Sequence, residues 1–227
     1  MRPMRSVLGI LTILALFSIA EASTAARAYK AMGIEVGDVL SGTALTSKVL
    51  PGGDKQVVCL VTYLTGKRDE ASAVNVRLGV FRQSGQSLES AYSRDFGAEN
   101  GGYVARGDLQ LIDLDRDGAN EIVVCYDSFR EPLIDQRICE VVLRDDRGFR
   151  TAWSGPVEYD ATRAARDVPR ERRDRFRREF DWANTLRTHG VTLFMDKKVI
   201  AVAGERLEEP RLIEETFPLR RRPDNVP

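Results

Sequence analysis

Four acidic residues recur at short intervals in the middle of the chain. They occupy positions 1, 3, 5 and 9 of a nine-residue segment: Asp113, Asp115, Asp117 and Glu121. Calcium binds six to eight oxygen ligands, and a tight loop of alternating carboxylates supplies several of them. Gly118 allows a sharp turn, and the carbonyl of Ala119 at position 7 can add a main-chain ligand. The spacing predicts a Ca²⁺ loop, and an acidic turn that holds no metal is the alternative.

The residues around this loop exclude the helical calcium loops. An EF-hand requires a carboxylate at position 12, where this chain has Val124, and a helix on each side. The dockerin pattern also needs an acid at position 12. Leu109–Ile112 before the loop and Ile122–Val124 after it are apolar runs typical of strands. The loop is therefore predicted to join two strands.

The segment LQLIDLDRDGANEIVV closely resembles the calcium loop of the FG-GAP/VCBS repeat families. These repeats occur in integrin α-chain propellers and in many secreted bacterial proteins. The resemblance implies a strand-joining Ca²⁺ loop with a carbonyl ligand from Ala119 and side-chain ligands from Asp113, Asp115, Asp117 and Glu121.

The chain departs from the family pattern in three ways. Glu121 stands where the family more usually has Asp, and Arg116 stands where it often has Gly. The motif also occurs once, whereas a propeller needs at least four blades. Because residues 29–155 hold roughly two blades of that size, a complete monomeric propeller is excluded.

The elements that must position this loop are short strands separated by polar turns. In Val74–Phe81, apolar residues alternate with others at a period of two, as in a half-buried strand. The remaining predicted strands are Gln56–Leu64, Leu109–Ile112, Ile122–Tyr126, Ile138–Leu143 and Phe149–Trp153. The predicted fold class is mainly β (α+β): an antiparallel, blade-like strand meander rather than a βαβ alternation.

After about Thr162 the pattern becomes typical of a helix. Residues suited to its cap, first turn and stop are Asp167, Pro169 and Gly190. An apolar stripe at helical spacing lies between them: Phe176, Phe180 and Ala183. Beyond this helix, Val191–Phe194 and Val199–Ala203 predict a hairpin with its turn at 196–198.

The sequence predicts four segments. Residues 1–22 form a signal peptide, and residues 29–155 form the β domain with the calcium loop. Residues 156–204 form a helix plus β-hairpin that closes the domain. Residues 205–227, which are charged and contain four prolines, form an extended or disordered tail.

The first segment has the features of a secretory signal. Arg2 and Arg5 precede Val7–Ala20, in which eleven of fourteen residues are apolar, and small residues follow at Ala20 and Ala22. A second possible cleavage site follows residues 26–28. Fourteen helical residues span about 21 Å, less than the roughly 30 Å of a bilayer core. Cleavage and a periplasmic or secreted location are predicted, with no membrane span after cleavage; an uncleaved anchor is the alternative.

Three cysteines follow this segment: Cys59, Cys125 and Cys139. An oxidising compartment allows one disulfide among them. If the strands before and after Pro132 form an antiparallel hairpin, Cys125 and Cys139 face each other, because each lies seven residues from Pro132. Opposed residues have Cα atoms about 4.5–5.5 Å apart, within the disulfide range. This pairing is predicted, with Cys59 buried; Cys59 bonded to either partner, or three free thiols, are the alternatives.

Composition and missing motifs limit the function. The 227 residues include 34 Lys+Arg and 34 Asp+Glu, so the chain lacks the positive field of a nucleic-acid binder. Residues 163–181 hold eight arginines and five acids, typical of a solvated helix; an anionic partner is the alternative. No G-x-S-x-G, H-E-x-x-H or phosphate-loop motif occurs, and no catalytic residue is predicted.

The predicted function is that of an exported calcium-binding β protein. Its role would be structural or binding, in the cell envelope or outside the cell, with an unknown protein or carbohydrate partner. The alternative is a secreted hydrolase with a cleft between the β domain and the helix–hairpin unit. Such a cleft would place polar groups around His189, the one histidine of the chain, or around the acidic loop.

Overall fold

The computed structural model describes most of the chain after residue 23. The described ranges are 24–50, 54–65, 73–99, 104–129, 133–145, 148–162, 166–187 and 190–220. The predicted signal peptide lies outside them, and so does His189. The described chain is mainly β and antiparallel, which confirms the predicted class.

The first four strands form an antiparallel sheet in sequence order, here called sheet A. Its strands are β1 (Val39–Ser47), β2 (Gln56–Thr65), β3 (Ala73–Ser84) and β4 (Ser87–Asp95). Eight of the ten residues of β2 are buried, so both faces of the sheet must be covered. Val58 and Leu60 belong to one hydrophobic cluster, and Val57, Cys59 and Val61 belong to another on the opposite face.

An N-terminal helix, α1 (residues 24–31), covers one face of sheet A. Ala28 and Tyr29 are buried against Val57, Cys59 and Phe81. A second helix, α2 (Phe96–Glu99), is a single turn between β4 and the next strand. Neither described helix is long and apolar enough to cross a membrane.

The remaining strands form a seven-stranded antiparallel meander, here called sheet B. In order they are β5 (Val104–Ile112), β6 (Glu121–Ser128), β7 (Asp135–Asp145), β8 (Gly148–Asp160), β9 (Arg175–Arg187), β10 (Gly190–Val202) and β11 (Glu205–Arg220). β8 and β9 pair over a short stretch, from Glu158 opposite Arg177 to Asp160 opposite Arg175. The last three strands can therefore leave the plane of β5–β8 and pack against its face.

Alternating residues of β6 belong to two different hydrophobic cores. Ile122, Val124 and Tyr126 pack in the core shared with sheet A. Val123 packs in the core shared with β10 and β11, where Leu193 is fully buried. The described strands thus form three β layers: sheet A, β5–β8 and β9–β11.

Aromatic rings support the second of these cores. Trp153 of β8 makes an edge-to-face contact with Phe180 of β9, with ring centroids 6.0 Å apart and an interplanar angle of 89°. Its ring centroid also lies 5.6 Å from that of Phe217 in β11. These distances are in the favourable range for aromatic pairs, so Trp153 links the second layer to the third.

The predicted disulfide is confirmed. Cys125 and Cys139 are directly opposed in the β6–β7 hairpin, with Cα atoms 4.0 Å apart, and their sulfurs are bonded. Closing a loop of this length stabilises a fold by roughly 3 kcal/mol in the chain-entropy model. Cys59 is a buried free thiol, as predicted. Burial raises the pKa of that thiol to about 12, so it stays protonated and unreactive at neutral pH.

The predicted C-terminal helix is wrong. A single turn of 3-10 helix at Arg170–Arg172 is followed by strand β9. The error lies in the spacing of Phe176 and Phe180, because a separation of four places two residues on one face of a helix and equally on one face of a strand. Pairing with β10, a contact distant in sequence, decides between the two.

The hairpin predicted within 191–203 also differs from the structure. Residues 196–198 lie inside β10, with Lys197 opposite Arg178 on one side and Ile213 on the other. The chain reverses instead at Ala203 and Gly204, whose φ values of 53° and 84° are those of a two-residue hairpin turn. β11 occupies the predicted tail, and the predicted boundary at 155/156 falls within β8.

β11 is the terminal strand of sheet B in the described chain. Its register against β10 shifts after Arg206, and the pairing resumes at Arg211. Pro210 lies within this irregularity, and Pro218 lies in the paired part, opposite Thr192. The strand is otherwise rich in exposed charged residues.

Packing of the third layer onto β6 predicts a strong difference between two leucines. Leu193→Ala should lower the free energy of unfolding by about 2–5 kcal/mol, because it leaves a cavity between the layers. Leu212→Ala on β11, where the side chain is 67% exposed, should change it by less than about 0.5 kcal/mol. Urea unfolding of both variants measures the difference. Equal losses at the two positions would refute the third layer.

Candidate metal centre

The acidic loop joins β5 to β6, as predicted. The two strands remain paired up to its base, where Ile112 is opposite Glu121. Leu114 of the loop is buried, and Asp115, Asp117 and Gly118 lie farther out. The hairpin therefore presents the loop at one end of the β5–β8 layer.

The three aspartates of the loop converge. Asp113, Asp115 and Asp117 each offer a carboxylate oxygen, and these three oxygens all lie within 4.8 Å of one another. Asp113 and Asp115 are half-buried, and Asp117 is exposed. Three carboxylates at this separation repel one another, and a bound cation removes that repulsion. The triad could therefore hold a metal ion.

Backbone N–H groups of the loop hold these carboxylates in place. Gly118 donates to Asp113 Oδ2 at 3.1 Å, and Asp117 donates to Asp115 Oδ1 at 3.2 Å. Ala119 donates to Asp117 Oδ1 at 2.8 Å. Each carboxylate thus uses one oxygen to accept a hydrogen bond from the loop, which orients the side chain before any ion arrives.

The second oxygen of Asp113 is the most informative atom of the loop. Asp113 Oδ1 is buried, and no donor in the described part of the chain reaches it. A buried carboxylate oxygen without a donor is costly, since transfer out of water is not compensated by any hydrogen bond. A cation at this position would compensate it. The donor set therefore fits a metal ion that prefers oxygen.

Glu121 lies beneath the triad rather than within it. Its Oε2 accepts a hydrogen bond from the Leu114 backbone N–H at 2.7 Å. Burial raises the pKa of this carboxyl to about 7; the Leu114 N–H opposes the rise, and the charges of Asp117 and Asp113 add to it. The predicted ligand roles of Glu121 and of the Ala119 carbonyl stay predictions.

The loop backbone has two residues with positive φ. Gly118 has φ of 82°, as expected from its position in the turn, and Arg116 has φ of 61°. An L-residue with a Cβ pays about 1–2 kcal/mol in this left-handed region. Arg116 therefore holds this backbone conformation at an energetic cost that glycine would not have.

The loop also contacts both neighbouring layers, which the sequence did not indicate. Asn120 donates its backbone N–H to the Lys48 carbonyl at 2.7 Å and its side-chain amide to Ser47 Oγ at 2.6 Å, at the end of β1. Leu114 is buried beside Leu193 of β10. Because these contacts lie far apart in sequence, no local pattern could reveal them.

The hydrolase alternative places a cleft between the β domain and a helix–hairpin unit. The helix–hairpin unit that would make one wall is replaced by β9 and β10. His189 lies outside the described ranges.

No family model, curated protein or solved structure matches this chain. The arguments about its site therefore rest on its own residues.

The positive φ of Arg116 predicts a stabilising substitution. Arg116→Gly should raise the free energy of unfolding by about 0.5–1 kcal/mol, because glycine adopts this backbone without the Cβ clash. Arg82→Gly, at an exposed strand position of β3, should lower it by a similar amount. Denaturant unfolding in chelator measures both. If Arg116→Gly lowered the free energy of unfolding as much as Arg82→Gly does, the backbone strain at Arg116 would be contradicted.

The raised pKa of Glu121 predicts a pH dependence of the metal-free protein. Its folded pKa of about 7 lies above the usual 4.5, so the stabilising proton is fully bound below pH 4.5 and lost as the pH rises through 7. In chelator, wild type should lose on the order of 2 kcal/mol between pH 5 and pH 8 relative to Glu121→Gln, which cannot ionise. Melting curves across this range measure it, with exposed Glu89→Gln as control. Parallel curves for wild type and Glu121→Gln would contradict the shift.

Proposed function

We propose that this chain is an exported protein whose β layers are fastened together by a Ca²⁺ ion bound at the acidic loop. Its role is structural or binding, in the cell envelope or outside the cell. The observation that carries the proposal is Asp113 Oδ1, a buried carboxylate oxygen without a donor, within the converging aspartate triad.

Calcium suits these ligands better than the other common ions. Zinc prefers nitrogen and sulfur ligands, and the triad offers oxygen alone. Magnesium demands near-octahedral geometry and keeps several waters, whereas calcium accepts six to eight oxygens in irregular arrangements. In the proposed site Asp113, Asp115 and Asp117 bind the ion directly. Glu121 and the Ala119 carbonyl complete it from below.

The position of the loop determines what the ion does. Asn120 fastens the loop to sheet A, and Leu114 fastens it to the third layer through the core around Leu193. An ion that orders the loop therefore stabilises contacts among all three layers. Since the ion binds the folded chain selectively, its binding free energy adds to the stability of the whole β structure.

Export is supported by the cysteine chemistry and by the first segment. A disulfide between Cys125 and Cys139 is favoured in an oxidising compartment and is rare in the cytosol. Residues 1–22 carry the charge, apolar and small-residue pattern of a secretory signal. Extracellular and periplasmic fluids also hold enough calcium to occupy sites of modest affinity.

The proposed relationship to FG-GAP/VCBS repeats is also supported by the position of the loop. β5–β8 form a four-stranded antiparallel meander, and the loop joins its first strand to its second. Sheet A is a second four-stranded meander that packs on the first face to face. In this proposal each meander corresponds to one blade-like unit, and the calcium loop lies where two units meet.

Calcium should raise the melting temperature of the purified mature protein relative to chelator. At a concentration about 100 times the dissociation constant, linkage adds about 2.7 kcal/mol to the free energy of unfolding. Asp115→Ala should abolish most of the increase, whereas Asp196→Ala, an exposed acid on β10, should leave it intact. Differential scanning calorimetry measures all three proteins.

Two further measurements make this test decisive. Magnesium at the same concentration should give a much smaller increase than calcium, because the loop imposes no octahedral geometry. Identical melting curves for wild type in calcium and in chelator would refute the calcium site. An equal shift in Asp115→Ala would show that the ion binds elsewhere.

A further inference from the structure

A cavity of about 510 Å³ lies at the end of sheet B opposite the acidic loop. Its wall is formed by residues of six strands, β5 to β10. β5 runs from the cavity at Arg106 to the loop at Asp113, a separation of about 20 Å at the rise of a strand. The cavity is therefore a separate site from the metal centre, and its volume suits a small molecule or one or two sugar units.

Three arginines of the wall direct donors toward solvent. Arg106, Arg175 and Arg177 have side chains that are 82%, 52% and 61% exposed. Each contacts its acidic partner through Nε, at 3.5, 3.3 and 3.5 Å respectively. Within the described chain their terminal Nη1 and Nη2 atoms have no hydrogen bond. These nitrogens form the planar fork that binds a carboxylate in bidentate geometry.

The backbone at Arg106 is strained in a way that supports a role for its side chain. Arg106 has φ of 50° and lies in the irregular stretch of β5 between Ala105 and Asp108, where the register with β6 shifts. Such bulges redirect a side chain, and non-glycine residues held at positive φ cluster at functional sites. Here the bulge places the most exposed of the three guanidiniums at the cavity.

One acid of the wall, Asp127, is held more firmly than the three arginines. Asp127 accepts a hydrogen bond from Arg137 Nη1 at 2.6 Å and is 16% exposed. Glu158 is half exposed and lies beside the cavity with Asp135. Carboxylates are acceptors without donors at neutral pH, so these groups suit a ligand that carries several hydroxyl groups.

Aromatic side chains complete the wall. Phe129 is 44% exposed and lines the cavity. Deeper in the wall, Tyr159 and Phe176 stack in parallel with centroids 5.2 Å apart, and Arg178 lies over Phe176 at 4.8 Å. Tyr159 and Phe176 line the cavity as a stacked pair, and Phe129 offers a flat apolar surface to a ligand.

We propose that this cavity binds an acidic carbohydrate: a pyranose unit that bears a carboxylate, as in a polyuronate. The Nη atoms of Arg106, Arg175 and Arg177 bind the carboxylate, Glu158 and Asp135 accept hydroxyl hydrogen bonds, and the C–H face of the ring packs on Phe129. A neutral sugar would leave the guanidinium forks unused. An inorganic anion such as phosphate would bring negative charge against the acids without a ring to pack on Phe129 or several hydroxyl groups to satisfy the acids.

The first experiment compares each acidic trimer with its own methyl ester, which has the same ring but no charge. Isothermal titration of the mature protein with trigalacturonate, triglucuronate and a trimer of mannuronate should show binding of at least one. Its methyl ester, which keeps the ring and loses the charge, should bind at least about tenfold more weakly, since each charge-assisted hydrogen bond contributes about 1.5–3 kcal/mol. Binding to none of the three acids, or equal binding of acid and ester, overturns the proposal.

The second experiment assigns the binding to the cavity. Arg106→Gln and Arg177→Gln should each weaken binding of the preferred trimer by at least about tenfold. Arg82→Gln, an exposed arginine on β3, is the matched control and should leave affinity within about twofold. Thermal melting of each variant shows that it is folded. Full affinity in Arg106→Gln and Arg177→Gln would overturn the site.

The third experiment separates a sugar site from a simple anion site. Phe129→Ala should weaken binding severalfold, whereas Leu212→Ala, an exposed leucine on β11, should not. Inorganic phosphate and acetate at millimolar concentration should compete poorly with the trimer. Competition by phosphate or acetate at the same concentration as the trimer would show that the cavity recognises charge alone. Unchanged affinity for the trimer in Phe129→Ala would show the same, and either result would overturn the carbohydrate assignment. The Asp115→Ala variant should bind the trimer as wild type does, because the two sites are independent.

Discussion

The structure depends on one strand being buried on both faces. Along β6, alternate side chains enter the core shared with sheet A and the core shared with β10 and β11. A shift of one residue would exchange the two sets, so the register of this strand is strongly determined. The disulfide between Cys125 and Cys139 joins β6 to β7 at one fixed pair of residues. Glu121, the first residue of β6, accepts a hydrogen bond from the backbone N–H of Leu114 in the acidic loop. The acidic loop at one end of β6 and the cavity at the other are thereby held at fixed positions relative to each other.

Local features of this arrangement could be predicted from the sequence. The loop was visible because its carboxylates recur within nine residues, and the disulfide because both cysteines are equidistant from one turn. The strands with clear period-two alternation or β-branched runs were equally visible, as in β2 and β3. In each case the information lies within one hairpin, where chain connectivity itself dictates which residues meet.

Features that depend on distant contacts could not be predicted. The spacing of Phe176 and Phe180 satisfies a helix and a strand alike, and β10 across the next turn decides the outcome. Asn120 reaches β1 some seventy positions earlier in the chain, at Ser47. The cavity is lined by residues from six strands, β5 to β10, so no short sequence motif could predict it. Of the arginines that suggested a solvated helix, Arg175, Arg177 and Arg178 lie instead on strand β9, where Arg175 and Arg177 share one side of the pleat.

The composition of β11 has a consequence for how copies of this protein behave in a crowded compartment. A terminal strand exposes unpaired N–H and C=O groups that can template the addition of another chain. Pro218 lacks an N–H, Pro210 lies where the pairing is interrupted, and charged side chains cover the remainder. Edge-to-edge polymerisation is therefore disfavoured at this end of the meander. The prolines and charged residues that made this segment resemble an extended or disordered tail therefore oppose aggregation of the folded protein.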